Sequence, residues 1–142
     1  SGECRDGGRW YHDVCDFFTL PLYVRENTLL AMGACGERPD YDYAKGAELR
    51  LYALGDGKEA VCEIPDTAGS IVLTARAARN GRTIVISSTG MPEGMTYVLK
   101  GIHEAKGISG ADVLGDDGGI ILAPGDNTVT IELKAASDAQ RF

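Results

Sequence analysis

The sequence contains no apolar run near the roughly 20 residues that a bilayer-crossing helix requires, so no helical membrane span is encoded. Basic excess is also missing: 14 Lys and Arg stand against 21 Asp and Glu, for a formal net charge of −7. Such a balance repels phosphate backbones and anionic headgroups, so nucleic acid and membrane surfaces are not expected partners. The four cysteines (Cys4, Cys15, Cys35, Cys62) form no C-x-x-C pair. A chain of 142 residues has no need of disulfide staples, so free thiols and a reducing, cytoplasmic setting are expected. Ser70, Ser87, Ser88 and Ser109 lack a G-x-S-x-G elbow, and the only two histidines, His12 and His103, lie far apart. Gly115-Asp116-Asp117-Gly118-Gly119 lacks the Lys-Ser/Thr of a phosphate loop and reads as a turn.

Helical periodicity is absent too. Nineteen glycines cut the chain into short pieces, and no segment repeats apolar residues at i, i+3, i+4 and i+7 over ten positions. Period-two alternation replaces it. Thr128 to Lys134 places Val129, Ile131 and Leu133 on one face. Ile71, Leu73 and Ala75 alternate with Val72, Thr74 and Arg76, and Ile84 and Ile86 stand on one face of 83–88. Asn80-Gly81 between two such runs is a strong hairpin signal. Hairpins are likewise expected at Gly55-Asp56-Gly57 and at Pro124-Gly125-Asp126-Asn127. The fold class is all-β, an antiparallel sandwich. Composition shifts near Pro65-Asp66-Thr67-Ala68-Gly69, where an aromatic-rich half gives way to one with only Tyr97 and Phe142. Two units, 1–65 and 66–142, are therefore expected.

Three segments carry a resemblance. Phe18-Thr19-Leu20-Pro21-Leu22-Tyr23-Val24-Arg25-Glu26-Asn27-Thr28-Leu29-Leu30-Ala31-Met32-Gly33 is similar to the stretch that follows the catalytic barrel in glycoside hydrolase family 31. Arg38-Pro39-Asp40-Tyr41 and Asp56-Gly57-Lys58-Glu59-Ala60-Val61-Cys62-Glu63 resemble the α-xylosidase branch. Ser1-Gly2-Glu3 and Gly7-Gly8-Arg9-Trp10 fit what precedes them. The resemblance implies the second part of a proximal C-terminal β domain (1–65) and a distal C-terminal β-sandwich (66–142). It also implies a parent enzyme performing retaining α-glycoside hydrolysis with two aspartates about 5–5.5 Å apart on a barrel. A barrel takes about 250 residues, so the chain is expected to be a non-catalytic fragment with no cofactor. Its start at Ser1, without Met or leader, agrees with a fragment. Its expected partners are the parent's catalytic barrel and a second copy of the chain; that copy, or the distal unit, is expected to cover the edge of the incomplete proximal sheet.

Sharper readings meet plain ones. Asp40 and Asp42 are two residues apart, but a solvated loop is favoured over a catalytic pair. His12, Asp13, Cys15 and Asp16 match no zinc spacing, and neither 40–46 nor 112–118 follows a calcium loop. Arg25, after an apolar run, is expected to pair structurally rather than touch substrate. Trp10 and Phe17-Phe18 are expected in the core. That leaves few aromatics for a sugar platform, so a structural or assembly module is favoured over a carbohydrate-binding one.

Overall fold

The computed structural model describes residues 3–135, and Phe142 lies outside them. Ten strands follow one another: β1 (Thr28–Met32), β2 (Glu48–Tyr52), β3 (Glu59–Pro65), β4 (Ile71–Asn80), β5 (Thr83–Ser88), β6 (Thr96–Lys100), β7 (Ala105–Ser109), β8 (Ala111–Asp116), β9 (Gly119–Pro124) and β10 (Thr128–Leu133). Among the described residues there is no helix.

Two five-stranded sheets form the sandwich, in the orders β1-β2-β6-β9-β8 and β3-β4-β5-β10-β7. All pairings are antiparallel except β2 with β6. Parallel neighbours need a long crossover, and here it is the β3-β4-β5 meander in the opposite sheet. Alternation supplies the core. Leu49, Leu51, Tyr97, Leu99 and Leu122 come from the first sheet; Leu73, Ala75, Ala77, Ile84, Ile86, Val129, Ile131 and Leu133 come from the second. At about 1.5–3 kcal/mol per large apolar side chain, these two faces dominate the favourable side of folding.

Turn chemistry reverses the chain as expected but does not always choose the partner. The β4–β5 hairpin is present, with Gly81 alone at positive φ (60°) as the first loop residue after Asn80. Gly55–Gly57 and Pro124–Asn127, expected as hairpins, instead carry the chain from one sheet to the other. Each is held by groups far along the chain. Gly125 N and Asp126 N both donate to Gly110 O (2.8 and 3.1 Å). Gly81 N donates to Asp56 Oδ1 (2.6 Å), and Arg79 Nη1 donates to Leu54 O (2.9 Å).

Pro65, where the sequence suggests a division, is the last residue of β3. β2 pairs with β6 across it, and residues from both sides fill one core. Pro65–Gly69 is a tight reversal between β3 and β4: Asp66 Oδ1 accepts from Ala68 N and Ser70 N (both 2.9 Å), and Gly69 takes φ 88°. Asx chemistry made a hairpin turn look like a linker. The unit is 28–133, and what precedes it is an arm.

Candidate functional site

Residues 3–27 form that arm, which contains no strand. Its apolar side chains face outward. Trp10 is 101% exposed, Phe17 94%, Phe18 92% and Leu22 81%, so the expectation that Trp10, Phe17 and Phe18 belong to the core is overturned. The sandwich closes its own core, and nothing within it needs these side chains. Phe17 and Phe18 pack edge to face at 5.3 Å.

A polar knot shapes the arm. Arg5 Nη1 contacts Asp13 Oδ1 at 2.6 Å and Oδ2 at 2.8 Å, and donates to the Tyr23 hydroxyl at 2.8 Å. The Tyr23 hydroxyl donates to Asp13 Oδ2 at 2.5 Å. The Arg5 guanidinium also sits 4.9 Å from the Tyr11 ring centre and 5.6 Å from that of Tyr23, within cation–π reach. The Tyr23 hydroxyl, followed by Arg5, holds the Asp13 carboxyl below the ordinary range. Asp13 in turn raises the Tyr23 phenol. Asp16 closes a local turn, accepting from Phe18 N (3.0 Å) and the Thr19 hydroxyl (2.6 Å). Sequence inspection missed this knot because its members are 8, 10 and 18 residues apart.

Asn27 fastens the arm to the sandwich. It takes φ 58°, its N–H donates to Ala53 O (3.1 Å), and its Oδ1 accepts from Gly55 N (2.7 Å). Arg25, expected to find a structural partner, is exposed and makes no ion pair among the described residues. The apolar run before it does not enter the core, so its charge needs no compensation.

The remaining candidates disperse. Asp13 and Asp16 are committed within the arm, and among the described residues no three His, Cys, Asp or Glu side chains converge to hold a metal ion. All four cysteines are unpaired. Asp40 and Asp42 sit in the loop joining β1 to β2, where Asp42 Oδ1 accepts from Ala44 N (3.1 Å) and Lys45 N (3.3 Å). Asp116 closes the β8–β9 turn, meeting Gly119 N (3.2 Å) and His103 Nδ1 (2.7 Å). His103 holds that carboxyl below its ordinary range.

Comparison with known proteins places the sequence of this sandwich in a family. Residues 42–133, lying wholly within the sandwich, match the family described as alpha-xylosidase YicI, C-terminal domain. Over 97 residues the chain is 29% identical to alpha-xylosidase XylQ of Lactiplantibacillus pentosus. That match covers 68% of this chain and 12% of the relative, so only a small part of the relative's length is represented. The match covers more than half of the chain and spans both sheets of a helix-free sandwich, so the chain belongs to the family of the alpha-xylosidase YicI C-terminal domain.

Proposed function

We propose that the chain is a non-catalytic structural module of an α-glycosidase, docked through its arm onto the catalytic barrel of the parent polypeptide. The observation that carries this reading is the outward display of Trp10, Phe17, Phe18, Leu20 and Leu22 beside a sandwich whose core is already closed. Exposed apolar groups on this scale mark a protein interface. At about 1.5–3 kcal/mol per buried side chain, the five would contribute about 10 kcal/mol gross before ordering costs. The Arg5 knot would hold the arm in shape before docking, reducing those costs. Retaining α-xyloside or α-glucoside hydrolysis then belongs to the barrel, and this chain steadies it.

The test is reconstitution. The chain is mixed with a separately produced parent enzyme lacking it, and p-nitrophenyl α-xyloside turnover is followed together with complex formation. The chain alone is expected to give no turnover. Complex formation is expected to weaken at least about 10-fold with Phe17→Ser and Leu22→Ser combined, the equivalent of losing about 1.4 kcal/mol or more. Turnover by the pure chain, or a complex indifferent to both substitutions, would refute the proposal.

A further inference from the structure

We propose that Asn80–Gly81, at the tip of the β4–β5 hairpin, is a latent site of covalent modification by water, held unreactive by Asp56 and Arg79. The chemistry is intrinsic to the pair. The Gly81 backbone nitrogen can attack Asn80 Cγ: a C–N bond forms, the Cγ–Nδ2 bond breaks, and ammonia leaves with the proton that the Gly81 nitrogen gives up. Water then opens the resulting succinimide at either carbonyl, leaving aspartate or isoaspartate, and nothing is oxidised or reduced. Glycine in second place leaves the attacking nitrogen unhindered, whereas Asn27 and Asn127, the other two asparagines, are each followed by threonine. Asn80 and Gly81 are both exposed, so water reaches them.

The fold opposes each requirement of ring closure. The nitrogen must be free to attack, but Gly81 N donates to Asp56 Oδ1 at 2.6 Å. The tip must be free to turn, but the Gly81 carbonyl accepts from Arg79 Nε at 2.9 Å. Asn80 must rotate out of extended backbone to bring Cγ over the nitrogen, but it ends β4 and pairs with Thr83. Asp56 is itself held in place. Gly57 N donates to Arg79 O and Arg79 N to Lys58 O, both at 3.0 Å, and Arg79 Nη1 donates to Leu54 O at 2.9 Å. The connection that carries the chain from β2 to β3 therefore clamps the tip of a hairpin more than 20 residues further along. Modification would undo the clamp that prevents it. A carboxylate at position 80 would share the turn with Asp56, and isoaspartate would add one carbon to the main chain where the β4–β5 register is set.

The experiment ages the full chain at physiological temperature and mildly alkaline pH and follows its intact mass, with fragmentation to locate the gain. Isomerisation at Asp-Gly pairs leaves mass unchanged and does not interfere. Reaction requires local opening, so its rate follows the open population. Asp56→Ala is expected to speed the gain at Asn80 by about 3-fold or more, the factor for losing one charge-assisted hydrogen bond at an exposed site. Arg79→Lys, which keeps the charge but gives up the Nε bond to Gly81 O, should act in the same direction and carries the test if Asp56→Ala fails to fold. Ile120→Val, which weakens the core in the opposite sheet, should leave the rate unchanged. A rate unchanged or lowered in either clamp variant overturns the proposal; a lowered rate in Asp56→Ala would make that carboxylate a base for the Gly81 N–H instead of a guard. Equal acceleration by Ile120→Val also overturns it, by showing that the site reads global stability alone.

Discussion

Tyr97 is 1% exposed on the central strand β6, and its hydroxyl has no hydrogen-bond partner of ordinary geometry among the described residues. Ser88, whose own hydroxyl donates to Gly90 O at 2.8 Å, is the side chain with a hydrogen-bonding influence on the phenol, but no bond of ordinary geometry joins the two. Burial raises the Tyr97 phenol, Ser88 only partly opposing it. A buried polar group without a partner costs about 1–3 kcal/mol in lost hydration. Tyr97→Phe removes that cost and forfeits the few dispersion contacts of one oxygen, each about 0.1–0.2 kcal/mol. The net expectation is a gain of about 0.5–1.5 kcal/mol, or a few degrees in Tm for a chain of this size. Urea unfolding followed by far-UV circular dichroism reads it, with the slope m unchanged. Tryptophan fluorescence would mislead, because Trp10 lies fully exposed in the arm. A loss above about 1 kcal/mol would refute the reasoning by showing the hydroxyl to be satisfied. A double-mutant cycle with Ser88→Ala would then identify the partner.

Gly110 takes φ 82° between β7 and β8, and a Cβ there would meet Thr128 O at 2.3 Å. Gly110→Ala is expected to cost about 3 kcal/mol or more or to abolish soluble expression, whereas Gly57→Ala, with open space around it, should cost only about 1 kcal/mol by urea titration. Ala53 holds φ 42°, so Ala53→Gly should raise the unfolding free energy from urea titration by up to about 1 kcal/mol, contrary to the usual loss on introducing glycine. Acid should loosen the molecule: Asp13, Asp116, Glu104 and Glu132 are held below their ordinary values chiefly by Tyr23, His103, Lys134 and Lys106 respectively. Their stabilisation is fully present above the unfolded values of 3.8 and 4.5 and is lost as pH falls through the lower folded ones. A urea midpoint that does not decline below about pH 4 would contradict this. At the alkaline end the raised Tyr23 phenol contributes below its unfolded value of 10.0 and stops contributing as pH rises through the folded one, so the arm's amides should lose exchange protection there first.

Strand identity was legible because period two needs only local information. Val129, Ile131 and Leu133, like Ile84 and Ile86, stand on a buried face that the sequence alone marks out. Pairing partners were less so. Gly55–Gly57 and Pro124–Asn127 have the residues of a hairpin, yet what captures each turn is a distant group, Arg79 and Gly110 respectively. The aromatics of the arm misled for a related reason. Trp10, Phe17 and Phe18 have core-type composition, but whether a core receives them depends on whether the sandwich is already full.

Alternation and motif order are properties of neighbours along the chain, so the all-β class, the strand faces and the family are legible before the chain is folded. That residues 28–133 make one sandwich with a single core, and that Arg5, Asp13 and Tyr23 meet, emerges only on folding. Those outcomes depend on contacts between residues far apart in the chain, selected by mutual burial and hydrogen-bond satisfaction, which no local pattern encodes.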